Sequence, residues 1–246
     1  MRILVTGGVG FIGTNLIKRL LRDGHEVTSI DNYSTGYKEN EQHGCTYING
    51  DVRDLDFWGG RLEKDDIIPD VIFHLAALAR IQPSIKEPYP AIEANFNGTL
   101  NVLEYARKND ISVVYAGSSS VHHGLYGSPY AWSKYGGEEL CKLYSEVYDL
   151  NTTICRFYNV YGDYMITEGE YATVVAIFQE QFKNGNSLTI TGDGEQRRDF
   201  THVDDIVDGL IACSNKDYKA EIFELGSGVN HSINEVAGMF GGNTTY

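Results

Sequence analysis

Tyr130 and Lys134 stand four residues apart in the run Tyr-Ala-Trp-Ser-Lys. On a helix that spacing puts a phenol and an ammonium on one face. A free phenol, with a pKa of about 10, is a poor base at neutral pH. A neighbouring ammonium favours the phenolate and lowers that pKa, so the pair can serve as an acid/base for a hydroxyl proton. Ser118-Ser119-Ser120 follow an apolar, β-branched run at 111–116. A serine hydroxyl at a strand's carboxyl end can hold a substrate oxygen while Tyr130 moves its proton, and active sites of open parallel sheets lie at such ends.

A second segment binds anions. Gly7, Gly10 and Gly13 in Thr-Gly-Gly-Val-Gly-Phe-Ile-Gly sit between an apolar run at 2–6 and a helical pattern at 11–22. Gly7 permits a sharp turn, Gly10 lets a pyrophosphate approach the backbone, and Gly13 lets the helix press on the sheet. The free N–H groups of the helix start face the anion. Asp31 closes the next predicted strand, where a carboxylate accepts hydrogen bonds from adenosine ribose hydroxyls and repels a 2′-phosphate. Asn32 and Tyr33 follow, with no arginine beside them, so the expected cofactor is NAD. Asp51 and Val52 end a third strand, where the aspartate serves either the adenine edge or a plain turn.

Those groups need a scaffold. Apolar strand-like runs fall at 2–6, 26–30, 45–49, 70–74, 111–116 and 151–156, and helical patterns at 11–22, 91–109 and 129–149. Strands and helices alternating in this way predict a doubly wound parallel sheet, a Rossmann-type α/β fold. Beyond residue 158 the pattern loosens, with helices expected at 171–184, 204–214 and 232–240 and strands at 188–191 and 221–225. The expected division is a dinucleotide-binding domain over 1–160 and a partial substrate lobe over 161–246, with about 201–226 returning to the first.

The 246 residues are 42% hydrophobic and 22% charged, with a net charge of −14. That acidity argues against a nucleic-acid or anionic-membrane partner. No apolar run reaches the ~20 residues that span a bilayer, and no signal peptide is evident, so a cytoplasmic location is expected. Cys45, Cys141, Cys155 and Cys213 form no C-x-x-C pair, so free thiols are expected rather than disulfides or zinc. No metal site is expected.

The motifs together resemble the extended short-chain dehydrogenase/reductases that act on nucleotide sugars, in particular UDP-glucose 4-epimerase-like proteins. The resemblance runs from Met1 to about Val229. It is carried by TGGVGFIG (6–13), DN (31–32), GDVRD (50–54), HLAA (74–77), NFNGT (95–99), SSS (118–120), YAWSK (130–134), RFYNVYG (156–162) and RRDFTHVDD (197–205). It implies a catalytic trio of Ser118, Tyr130 and Lys134, with Ser119 an open alternative for the serine and a substrate-binding position in its own right. It implies dinucleotide contacts at Gly7, Gly10, Phe11, Ile12, Gly13, Asp31, Asn32, Asp51, Val52, Leu75, Ala76, Ala77 and Asn95, shared with Tyr130 and Lys134. Asn159 and Arg198 match positions that hold the substrate's diphosphate.

The resemblance further implies the reaction. Related dehydratases carry an Asp-Glu pair after the hydroxyl residue, and decarboxylases a nearby glutamate. Ser119 and Ser120 stand there in this chain. The expected activity is NAD-dependent 4-epimerisation of a nucleotide sugar, by transient oxidation at C4. The alternatives are a dehydrogenase or reductase on a related sugar, and an impaired NAD-binding protein. Two departures bear on this: His122-His123 replaces the usual Tyr-Gly, and the chain ends at Tyr246, several dozen residues before the relatives do. A homodimer through helices 91–109 and 130–149 is implied, with Leu100, Leu103, Leu140, Leu143 and Val147 as candidate apolar residues.

Overall fold

The structure, a computed structural model, describes residues 1–55, 57, 58, 62 and 68–246. The strands of the main sheet are β1 (Arg2–Thr6), β2 (Glu26–Asp31), β3 (Thr46–Asn49), β4 (Val71–His74), β5 (Ser112–Ser118), β6 (Thr152–Phe157) and, late in the chain, Ile222–Leu225. They are all parallel, in the order β3-β2-β1-β4-β5-β6 with Ile222–Leu225 outermost beside β6. The order reverses between β1 and β4, which opens a crevice at their carboxyl ends.

Alternation along β1 shows how the sheet is held. Leu4 faces one core with Ile72, Val102, Leu103, Tyr115 and Ile154. Ile3 and Val5 face the other, with Leu16, Ile17, Leu20, Phe73 and Ile206. Both faces are covered, as the apolar strand runs require. The helices that cover them are α1 (Phe11–Arg22), α2 (Ile81–Lys86), α3 (Pro88–Ile92), α4 (Gly98–Asn109), α5 (Pro129–Tyr148), α6 (Val174–Lys183), α7 (Val203–Ala212) and α8 (Ile233–Phe240). Phe178, Leu188, Ile190, Ile233 and Val236 form a third, separate cluster toward the C-terminus.

Several boundaries differ from the sequence expectation. The fifth strand runs to Ser118 rather than Ala116, because Gly117 and Ser118 still pair with Arg156 and Phe157. The helix expected at 91–109 is preceded by α3 and interrupted by a π-turn at Glu93–Asn97. α2 was not expected: Pro83 lies in its first turn, where proline needs no N–H partner. α5 begins where predicted, with Pro129 in its first turn and the Ser128 hydroxyl accepting the Ala131 N–H at 3.1 Å. Cys155 and Cys213 are free, as are Cys45 and Cys141. Among the described residues no helix is long and apolar enough to cross a membrane.

Candidate active site

The crevice is built around close backbone approach. Gly7 has φ +75°, and a Cβ there would lie 2.8 Å from the Ala76 nitrogen, so the first loop packs directly on the loop after β4. A Cβ on Gly13 would lie 2.1 Å from the Gly7 carbonyl oxygen. Gly10 is different. Only the Gly7 oxygen, at 3.2 Å, would lie near its Cβ, so packing hardly demands a glycine there. Gly10 also caps α1 with no side-chain bond to the free N–H groups, and no acidic residue lies in the first turn. Open ground above bare N–H donors fits the pyrophosphate of a dinucleotide.

Asp31 is tied to this loop: it accepts the Val9 N–H at 3.1 Å and the Tyr33 N–H at 2.8 Å. Burial pushes its carboxyl up, against those two bonds. Asn32 donates to Asp51 at 2.8 Å. Asp51 also binds the Arg53 guanidinium, which holds its carboxyl well below the usual range. Asn32, Asp51 and Arg53 thus form one hydrogen-bonded group at the ends of β2 and β3. Val52 is buried and its carbonyl is taken by Trp58 and Asn101.

Asn95 is fully buried in the π-turn. Its amide accepts the Leu78 N–H at 2.8 Å and donates to the Leu78 carbonyl at 3.2 Å and to Ser133 Oγ at 3.1 Å. Through these bonds Asn95 fixes the loop after β4. Leu75, Ala76 and Ala77 occupy that loop, with Leu75 and Ala76 leaning on the two cores.

A buried chain of hydrogen bonds, not foreseen from sequence, supports the same loop. The Ala76 N–H donates to Thr6 Oγ1 (3.2 Å), which lies 2.7 Å from His74 Nδ1. His74 Nε2 lies 3.0 Å from Thr99 Oγ1, whose hydroxyl donates to the Asn95 carbonyl at 2.6 Å. Thr99 therefore accepts from His74, which fixes the proton on Nε2 and leaves Nδ1 to accept from Thr6. Burial pulls His74 down to about 3, with the Lys134 charge adding to it. The only signal in the sequence was a histidine inside an apolar strand.

At the end of β5 the Tyr130 hydroxyl donates to Ser118 Oγ at 3.2 Å. Ser118 Oγ also accepts the Ser120 N–H at 3.2 Å, as cap of the following turn. Geometry therefore selects Ser118 over Ser119 as Tyr130's partner. Lys134 is buried on the same helix, its ammonium 4.3 Å from the Tyr115 ring centre, and burial pulls it down to about 8 while Glu138 acts to raise it. Burial pushes the Tyr130 phenol up; the Ser118 hydrogen bond and the charge of Arg80 pull it down. The i, i+4 spacing set the helix face, but the aromatic face of Tyr115 takes the ammonium.

Beyond Ser118 lies a cavity of about 390 Å³ lined by Ser119, His123, Tyr158, Asn159, Arg198 and Glu224 among others. Asn159 donates to the Asp199 carbonyl at 2.8 Å. The two adjacent arginines differ. Arg197 is held by Asn230 and by both oxygens of Glu235. Among the described residues the Arg198 guanidinium makes a single bond, to the Arg197 carbonyl at 2.7 Å, and has donors to spare for an anion. The far wall is fixed by Arg156, which binds the wholly buried Glu138 and reaches Glu224 at 2.9 Å. Glu224 also accepts from Tyr158 at 2.9 Å and lies 3.0 Å from His122.

A doubly wound parallel sheet with a glycine loop at its reversal point and a tyrosine–serine pair beside it defines a Rossmann-type, dinucleotide-dependent enzyme. The chain belongs to the NAD dependent epimerase/dehydratase family, whose profile matches residues 3–226. A putative UDP-glucose 4-epimerase of Methanocaldococcus jannaschii is 36% identical over 248 residues, covering 95% of this chain and 79% of the relative. A UDP-N-acetyl-alpha-D-glucosaminuronate decarboxylase of Bacillus cytotoxicus is 34% identical, covering 96% and 78%. The Thermus thermophilus UDP-glucose 4-epimerase, solved in complex with NAD, superposes with a TM-score of 0.87 at 30% identity, covering 100% of this chain and 86% of that one. The cofactor is NAD.

Proposed function

We propose that this chain is a UDP-sugar 4-epimerase. The observation that carries the reading is the Tyr130–Ser118 hydrogen bond at the end of β5, followed by Ser119 and Ser120 in place of an acidic pair. NAD, held by the loop of Gly7, Gly10 and Gly13 and by Asp31, would supply the reversible hydride acceptor for C4 of the sugar. The chain's own part is proton transfer at O4. Ser118 Oγ holds that oxygen, and Tyr130 takes its proton as the C4 ketone forms and gives it back on return. Tyr130 must act as the phenolate to take that proton; burial opposes this form, and the Ser118 hydrogen bond and the charge of Arg80 favour it. Arg198 and Asn159 bind the diphosphate across the cavity, and Ser119 borders the sugar. No carboxylate stands at 119 or 120 to expel water.

We further propose a homodimer through α4 and α5. Leu103 is core and is removed from that role. Leu143 and Val147, with Trp132 and Tyr148, are exposed along α5 and form its apolar face.

The test is incubation of the purified chain with UDP-glucose, UDP-galactose, their N-acetyl forms and UDP-glucuronate at catalytic NAD. The C4 epimer without net NADH supports the reading. Stoichiometric NADH indicates a dehydrogenase, and release of CO2 with a UDP-pentose a decarboxylase.

A further inference from the structure

Arg80 carries a cation on the segment packed against Tyr130, and no carboxylate among the described residues pairs with it. It is the residue before α2, whose Ser84 hydroxyl accepts the Tyr130 N–H at 3.1 Å, so it is carried on the segment that abuts Tyr130. The guanidinium is partly buried. Nε and Nη2 both donate to the Tyr171 carbonyl, and Nη1 donates to the Ala79 carbonyl at 3.2 Å. A guanidinium has five N–H donors; three are used, which leaves one on each terminal nitrogen. Among the ion pairs of the described residues none includes Arg80, and Glu170, next to Tyr171, is taken by Lys86. Neutral carbonyls orient the fork but do not neutralise it, and a desolvated cation gains most from a carboxylate in bidentate geometry.

The sugar is the candidate source of that carboxylate. If Tyr130 meets O4, a group within reach of Arg80 is borne near C4, on C5 or on O3. The diphosphate is bound elsewhere, at Arg198 and Asn159. We propose that Arg80 is a specificity-determining residue that selects nucleotide sugars carrying a carboxylate next to the reacting carbon, at C6 or on an ether at O3. This rests on the nucleotide-sugar reading given above. The charge of Arg80 already acts on the Tyr130 phenol, so an acidic sugar bound there would also shield the phenol from it.

The experiment compares acidic and neutral ligands in pairs. UDP-glucuronate is set against UDP-glucose, and UDP-N-acetylmuramate against UDP-N-acetylglucosamine, with the NAD-loaded wild type, Arg80→Ala and Arg80→Lys. Dissociation constants are measured by calorimetry in a Tyr130→Phe background and kcat/KM in the active chain, so the binding ratio is read even if no sugar is turned over. The wild type is expected to prefer the acid of at least one pair, which names the carboxylate's position. Arg80→Ala is expected to lower the acid-to-neutral ratio about 10- to 100-fold, the size of a lost charge-assisted pair, and Arg80→Lys to restore part of it.

A ratio unmoved by Arg80→Ala overturns the proposal. So does an equal loss for both ligands, which would mean that Arg80 only holds Tyr171 or tunes Tyr130. A fall in NAD affinity with an unchanged ratio overturns it too, by assigning the cation to the dinucleotide. Tight, Arg80-dependent binding of the acid without epimerisation would sink the epimerase reading and keep this one. Failure to bind any UDP-sugar would sink both.

Discussion

The Tyr130 hydroxyl reaches Ser118 Oγ at 3.2 Å across the boundary between α5 and the end of β5. This contact joins two residues that lie twelve positions apart, and it stands at the carboxyl edge of the sheet, beside the reversal point. Tyr130→Phe removes the transferable proton and leaves the ring packing. Turnover is expected to fall about 10²- to 10⁴-fold, the usual worth of a general acid/base, with NAD affinity nearly unchanged by fluorescence titration. Equal losses in turnover and NAD affinity would count against proton transfer by this residue.

The glycine loop separates two requirements. Gly13→Ala drives a Cβ to 2.1 Å from the Gly7 carbonyl oxygen, a backbone atom that cannot move aside, and is expected to lower the melting temperature sharply. Gly10→Ala meets little but that same oxygen at 3.2 Å. It is expected to keep most of the thermal stability and lose NAD affinity. A Gly10→Ala chain that binds NAD normally would show that the pyrophosphate does not lie there.

Adjacent arginines make a second contrast. Arg198→Ala is expected to weaken UDP binding about 10- to 100-fold with little change in unfolding. Arg197→Ala breaks the contacts with Asn230 and Glu235. Because that ion pair is exposed it is expected to cost no more than about 1 kcal/mol, seen in urea melts, with a smaller effect on UDP. The reverse pattern would exchange their roles.

His74 makes stability depend on pH. Its folded pKa is lowered to about 3, below the unfolded value of about 6.5, so the unfolded chain binds more protons between those limits. Its contribution is complete above about pH 6.5 and is lost as pH falls, at up to about 1.4 kcal/mol per pH unit. Urea unfolding at pH 7 and pH 5 is expected to show a loss of about 2 kcal/mol from this group. His74→Phe starts less stable, through loss of the Thr6 and Thr99 bonds, but its pH slope is shallower. A slope identical to the wild type's would mean that His74 is protonated in the folded chain.

Legibility in the sequence followed the range of the interactions. The glycine loop, α1 and α5 are encoded within a few residues, by glycine spacing, apolar periodicity and the Ser128–Pro129 start, and they were read near their true bounds. Three identical residues at 118–120 carry no local signal for which one meets Tyr130; register with β6 and the position of α5 decide it. The pairing of Arg197–Asp199 with Asn230–Ser232 is three residues long and spans more than thirty, so no pattern announces it, yet it determines which arginine is free. Lys134 was located correctly on its helix face, but its ammonium settles on Tyr115, a residue from another element. Arg80 had no signal at all: an arginine in a loop becomes notable only when its neighbours prove to be carbonyls.

The outermost strand of the main sheet is made last. Ile222–Leu225 pairs with β6 and brings Glu224 to Arg156, His122 and Tyr158. On the ribosome, which delivers the N-terminal part first, the glycine loop, Ser118 and Tyr130 emerge while one wall of the cavity beyond Ser118 is still unsynthesised. The cavity wall built by Glu224 is therefore the last part of the main sheet to be synthesised.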